Sequence, residues 1–142
     1  MADIKHSIQT SASPEQVYSL VTNAKGLGRW WATDITEPGA TVDLGFFKRA
    51  TVYRLRLVTE HPPAHAEWVC ESGDEWNGTR IIFEMETTKS GSLILFTHAG
   101  WRAESAYFMS CNTTWGELMF RLKAAAEGKT PGPLFTVDGW VA

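Results

Sequence analysis

The chain is poor in most of the features that announce a function. It has no run of lysine or arginine and a net charge of −3 over 142 residues, which excludes the basic footprint of a nucleic-acid binder. No stretch approaches the roughly 18 consecutive apolar residues of a membrane span, so no spanning segment is expected. The amino-terminal residues MADIKHSIQT carry neither a positive segment followed by an apolar one nor an Arg-rich amphipathic pattern. Cys70 and Cys111 are the only cysteines and have no metal-site spacing, so they are expected to be free, reduced thiols of a cytoplasmic protein. His61 and His65 stand four apart, but Pro62-Pro63 excludes the helix that would align them, and no metal is expected. A phosphate-cradling glycine loop and a nucleophile elbow are both missing, so no cofactor is implied and no catalytic residue is assigned. With no repeat, linker or low-complexity segment, a single domain over residues 1–142 is expected.

What the chain has in excess is aromatic side chains: seven Trp, seven Phe and three Tyr. The elements that carry them follow from periodicity. Residues 4–10 alternate as a strand, with Ile4, His6 and Ile8 on one side. Ser13-Pro14-Glu15-Gln16 predicts a capped helix start, and Val17, Leu20 and Val21 form its apolar edge. A second short helical turn over 23–31 ends in the pair Trp30-Trp31. Five further strands are predicted over 41–47, 50–60, 64–71, 79–88 and 92–99, punctuated by Pro62-Pro63 and by Lys89-Ser90-Gly91. Tyr53, Leu55 and Leu57 alternate with Arg54 and Arg56, as Ile81, Phe83 and Met85 do with Glu84 and Glu86. One apolar and one charged face per strand describes an antiparallel sheet covered on one side. Glu84 and Glu86 then read as a solvated outer face rather than a carboxylate pair for acid–base work.

A long helix over about 104–127, stopped by Gly128 and Pro131, would cover that sheet. Its two halves differ: residues 117–127 are strong helix formers and 105–114 are poor ones. Phe108, Cys111, Trp115, Leu118, Met119, Leu122 and Ala126 share one face, with Asn112 at its edge. A weak half must be held by what it packs on, and a face mixing aromatic, thiol and amide groups suits the wall of a small-molecule cavity. Phe120 points away from this stripe. Either the tail, with Leu134, Phe135 and Trp140, folds back over it, or a second subunit covers it as a homodimer.

The candidate ligand-binding set is therefore Tyr53, Trp68, Phe83, Phe96, Phe108, Trp115 and Met119 as apolar wall, with Cys111, His98 and Asn112. Cys111 reads as a small wall residue, since nothing nearby supplies a base. His98 follows Ile94 and Phe96 in alternation, but Leu93 and Leu95 make the other face apolar too, so the strand leaves its side open. Asn112 either meets a ligand or bonds the backbone near Gly116.

Several short words resemble one family. Pro14-Glu15-Gln16-Val17-Tyr18 with Trp30-Trp31, then His61-Pro62-Pro63 leading to Trp68, the hairpin from Thr79 to His98, and Trp115-Gly116-Glu117-Leu118 with Leu122-Lys123 occur in order over nearly the whole chain. This series resembles the START-like, helix-grip (SRPBCC) superfamily, in the branch named after an activator of a heat-shock chaperone's ATPase. The strand beginning near Ala40 departs from the pattern in lacking a paired glycine. The resemblance implies an α+β fold: a curved six-stranded antiparallel sheet gripping a long C-terminal helix, with two short helices after the first strand. It implies binding of an apolar or aromatic small molecule (a lipid, sterol or polyketide) between sheet and helix. Two alternatives come with it: a chaperone ATPase regulator acting through its surface, and a cyclase, dehydratase or hydrolase using the same pocket with His98 as its acid–base group.

Overall fold

A computed structural model describes residues 1–140, with Trp140 given by its backbone alone. The elements are β1 (Ala2–Thr10), α1 (Pro14–Val21), α2 (Ala24–Leu27), β2 (Ile35–Thr36), β3 (Thr41–Phe46), β4 (Thr51–His61), β5 (His65–Cys70), β6 (Arg80–Thr88), β7 (Gly91–Trp101), α3 (Ala106–Ala126), β8 (Phe135–Thr136) and β9 (Gly139–Trp140). One antiparallel sheet runs β1-β7-β6-β5-β4-β3-β2, and β8-β9 form a separate hairpin. The sheet has seven strands rather than the expected six. The addition is the two-residue β2, paired with β3 through Ile35 and Leu44, which is too short to leave a periodic signal.

The β6–β7 register sets Phe83 opposite Phe96 and Ile81 opposite His98, so both strands turn the same alternate residues inward. Ile81, Phe83, Met85, Ile94, Phe96 and His98 are all buried. That settles which way His98 points; Leu93 and Leu95 are half-buried on the other face. The fold agrees with the helix-grip expectation, including the two short helices after β1.

The capping box forms as predicted: Ser13 Oγ accepts from the Gln16 N–H at 3.2 Å, and Gln16 Oε1 accepts from the Ser13 N–H at 2.7 Å. The far end of α1 is closed by tryptophans. The carbonyls of Leu20 and Val21, which have no partner within the helix, accept from the indoles of Trp30 at 2.9 Å and Trp68 at 2.8 Å. Gly26 lets α2 lie directly on α1, since a Cβ there would stand 2.4 Å from the Ser19 carbonyl oxygen.

Ser105 caps α3 by accepting from the Phe108 N–H at 3.1 Å. Its other end is tied to the first strand. Glu127 accepts from the Ser11 N–H at 3.1 Å and the Thr10 hydroxyl at 2.9 Å, bonds that hold its carboxyl down to about 2. Lys123 reaches the Gln9 carbonyl at 2.7 Å. Among the described residues, α3 lies closest to β1 and α1. No described helix is long and apolar enough to cross a membrane.

The tail does fold back, but not over Phe120, which stays 65% exposed. Arg121 holds the carbonyls of Pro131 and Gly132 at 3.2 and 3.0 Å, and Phe135 exchanges backbone bonds with Trp31 and Thr33 at 3.0 and 2.9 Å. The chain thereby carries Phe135 to the other side of the helix, against Phe46. The packing expected of the Trp140 side chain lies outside the described residues.

The β3–β4 turn is unusual. Phe47, Lys48 and Arg49 have φ of 53°, 56° and 65°, three successive left-handed residues with no glycine among them. The tail and the loop after α2 hold it: the Lys48 N–H donates to the Val137 carbonyl at 2.7 Å, and Arg49 forms two bonds to Asp34 at 3.0 and 2.9 Å. Relief of left-handed strain at one residue is worth about 1–2 kcal/mol, and the extra freedom of glycine in the unfolded chain offsets about half of it. The Lys48–Asp138 ion pair, at 3.5 Å and almost fully exposed, contributes little. Lys48→Gly is therefore expected to stabilise the fold by about 0.5–1 kcal/mol, read as a higher urea midpoint with an unchanged slope. A lower midpoint would show that the turn is not strained in solution.

Candidate functional site

The N-terminal half of α3 meets the sheet through the Tyr107–Tyr53 hydroxyl hydrogen bond and the packing of Phe108 on Trp101, and leaves space beside these contacts. A cavity of about 110 Å³ remains there. Its walls on the sheet and loop side are Trp31, Phe46, Tyr53, Trp76 and Phe135, with Phe47 and Thr51 at the strained turn. From the helix come Tyr107, Ser110, Cys111, Thr114, Trp115 and Leu118. The rings brace one another: Tyr53 stacks on Trp76 at 3.9 Å and 8°, Trp31 meets Trp115 at 4.9 Å, and Phe46 meets Phe135 edge-on at 4.9 Å. Such walls are stiff, so the space is preformed rather than a gap that side chains can collapse into.

A second, more open cleft of about 530 Å³ adjoins it, lined by residues 50–53, Gly73, Asp74, Glu75 and Tyr107. Thr51, Tyr53 and Tyr107 line both spaces, and a hydrogen bond joins the two tyrosine hydroxyls. That bond spans the boundary between an inner apolar chamber and an outer polar one.

The polar groups of the inner chamber are neutral. Burial pushes the Tyr53 hydroxyl up to about 12 and raises Tyr107 and Cys111 as well. The Trp76 N–H is buried without an oxygen or nitrogen partner and has the Cys111 sulfur as its neighbour. Charge is kept out of the chamber, and hydrogen-bond donors remain in it.

Beneath the chamber lies a closed chain of hydrogen bonds. The Trp115 indole N–H, which can only donate, lies 3.1 Å from His98 Nδ1, so Nδ1 accepts and the ring proton sits on Nε2. Nε2 donates to Thr79 Oγ1 at 2.8 Å, and that hydroxyl donates to the Trp76 carbonyl at 2.6 Å. Every member is satisfied, and the chain ties α3, β7 and the loop before β6 together. Burial alone drives the His98 imidazole down to about 3, so the ring is neutral. With both nitrogens engaged it has no lone pair free for a ligand, and the acid–base role considered for it is not open.

Of the ten residues expected at the site, Tyr53, Cys111 and Trp115 line the chamber. His98 and Phe96 sit directly behind Trp115, the Phe96 ring 4.3 Å from it. Phe83 packs on Phe96, Phe108 on Trp101, and Trp68 serves the end of α1. Met119 is buried further along α3, and Asn112 is exposed on its outer side, not in the cavity. Tyr107 and Thr114 were legible, since with Cys111 and Leu118 they form an i, i+4, i+7, i+11 stripe beside the one read from sequence. Trp76 was not, because it stands in an irregular loop. Among the described residues, no three His, Cys, Asp or Glu side chains gather as metal ligands would.

A curved antiparallel sheet closed on a long helix, with a small aromatic chamber between them, defines a START-like protein. The chain belongs to the family of activator of Hsp90 ATPase homolog 1-like proteins, whose sequence profile matches residues 11–127. It is similar to the Aha1 dimer from Colwellia psychrerythraea, known from its solution structure: 31% identity, TM-score 0.79, with 89% of this chain and 97% of that one covered. Proteins from Staphylococcus saprophyticus (16% identity, TM-score 0.73, 96% and 99% covered) and Bacillus halodurans (20%, 0.71, 89% and 98%) share the fold. Comparison with curated proteins gives no match.

The histidine chain makes a pH prediction. In the unfolded state His98 binds a proton near its ordinary value of 6.5, and in the fold only near 3. The unfolded state therefore holds more protons between these values, and stability falls as pH drops below about 6.5, approaching about 1.4 kcal/mol per pH unit. Urea unfolding between pH 7 and 5 should show this loss. His98→Gln, less stable throughout, should lack that part of the slope; identical slopes would mean that the ring is not buried neutral.

Proposed function

We propose that this protein binds a small, ring-containing apolar molecule in the chamber beneath the N-terminal turns of α3. The observation that carries this is the chamber itself: a preformed space of about 110 Å³ walled by eight aromatic side chains, with neutral donors and no charge. An apolar cavity of about 150 Å³ takes one benzene, whereas drug-sized ligands occupy about 300–1,000 Å³. The reading is thus one aromatic ring for the inner chamber, with any larger part of a lipid, sterol or polyketide-like guest lying in the outer cleft. Binding rather than turnover is favoured because His98 is locked by its neighbours. The buried, free thiols suit the cytoplasmic setting expected from sequence.

A second reading rests on the 31% identity to the Colwellia protein. In it, the exterior of this chain would act on an Hsp90-type ATPase, which predicts stimulated ATP turnover when the two are mixed. That relative is a dimer, and Met109 and Phe120, 59% and 65% exposed on one side of α3, would give this chain an apolar surface for self-association.

Indole, phenol and toluene, followed by Trp fluorescence and thermal shift, should bind with Kd of about 0.1–1 mM, as expected for so few buried atoms. Cys111→Leu fills part of the void, so it should weaken binding at least about tenfold, while the loss of the sulfur beside the buried Trp76 N–H lowers the melting temperature by a few degrees. Equal responses from the wild-type and filled proteins would remove the chamber as the site.

A further inference from the structure

The outer cleft is not electrostatically neutral. Its lining carries two carboxylates, Asp74 and Glu75, and no lysine or arginine. Of the basic groups nearby, Arg49 pairs with Asp34 and Lys48 with Asp138, while Arg102 bonds the backbone carbonyl of Asp74 at the rim, so a single cation stands there against the two carboxylates. Glu75 is also fixed in place. Its Oε1 accepts from the Ser105 hydroxyl at 2.5 Å, the same residue that caps α3, so the carboxylate is held at the mouth of the chamber beside Tyr107. Its charge is felt inside, where it helps to raise both the Tyr53 hydroxyl and the Cys111 thiol. Eight aromatic side chains line the inner chamber, and aromatic faces, electron-rich at their centres, favour a nearby cation. The two spaces meet at the Tyr53–Tyr107 hydrogen bond, so a guest long enough to occupy both replaces that bond with its own contacts.

We propose that the ligand is an aryl-alkyl ammonium ion, its ring in the inner chamber and its positive nitrogen in the outer cleft beside Glu75. This deepens the ring-binding reading and rests on it. An anion is rejected twice over: the inner chamber offers no compensating charge, and the cleft repels it. A neutral analogue keeps the ring burial and loses only the attraction at the mouth. Because the cleft is open, that attraction is partly screened and weakens with salt.

The test uses three probes with similar rings and different heads: 2-phenylethylammonium, 2-phenylethanol and 3-phenylpropionate, titrated at low ionic strength by thermal shift and calorimetry. The ammonium ion is expected to bind about tenfold more tightly than the alcohol, and the carboxylate more weakly than either. Raising the salt should narrow the first ratio. Glu75→Gln keeps an oxygen for the Ser105 hydroxyl and should bring the ammonium-to-alcohol ratio close to one. If the alcohol matches or exceeds the ammonium ion, the inference fails while the ring-binding reading stands. If no probe binds, both fail.

Discussion

The hydrogen bond from the Trp115 indole to His98 joins the long helix to the sheet between two fully buried side chains. Its requirements propagate. The donor can only be an N–H, so the imidazole must present Nδ1 as acceptor and carry its proton on Nε2. That proton needs Thr79, and the Thr79 hydroxyl needs the carbonyl of Trp76. One bond thus fixes the helix, the strand β7 and the loop that bears Trp76, one wall of the chamber. On its C-terminal side Met119, Leu122 and Ala126 are buried; towards the N-terminus Tyr107, Ser110, Cys111 and Thr114 line open space. A buried polar chain of this kind stabilises only while every member is paired, which makes its neutrality a structural need and not a catalytic device.

The large aromatic content divides by task. Trp30 and Trp68 donate their indoles to the carbonyls that end α1, and so serve as caps. Phe83, Phe96 and Phe108 fill the layer between sheet and helix. Trp31, Trp76 and Trp115 with Tyr53 make the chamber. The same residue type therefore answers three different physical demands, and only contact partners tell them apart.

Much of the fold was legible because periodicity is local. The Ser13–Gln16 box, the strand alternations and the weak first half of α3 each point to the element that forms. The weak half of the helix also supplies Tyr107, Ser110, Cys111 and Thr114 to the chamber's lining. What escaped was set by distant partners. Trp68 looks like a wall residue from its strand, yet its indole is claimed by Val21, 47 positions earlier. Asn112 lies at the edge of the stripe, where a small rotation of the helix decides between cavity and solvent. Phe135 and Trp76 have no period at all, and the left-handed turn at Phe47–Arg49 contradicts its own turn chemistry because Asp34 and Val137 hold it from outside.

Phe135 has a consequence for the outline of the chamber. It rides on the strap after α3, which is fastened by backbone bonds to Trp31 and Thr33 and by Arg121. Its ring closes one side of the recess against Phe46 while belonging to neither the large sheet nor the helix. A different side chain at that one position would redraw the recess and leave the sheet, the helix and their histidine link in place.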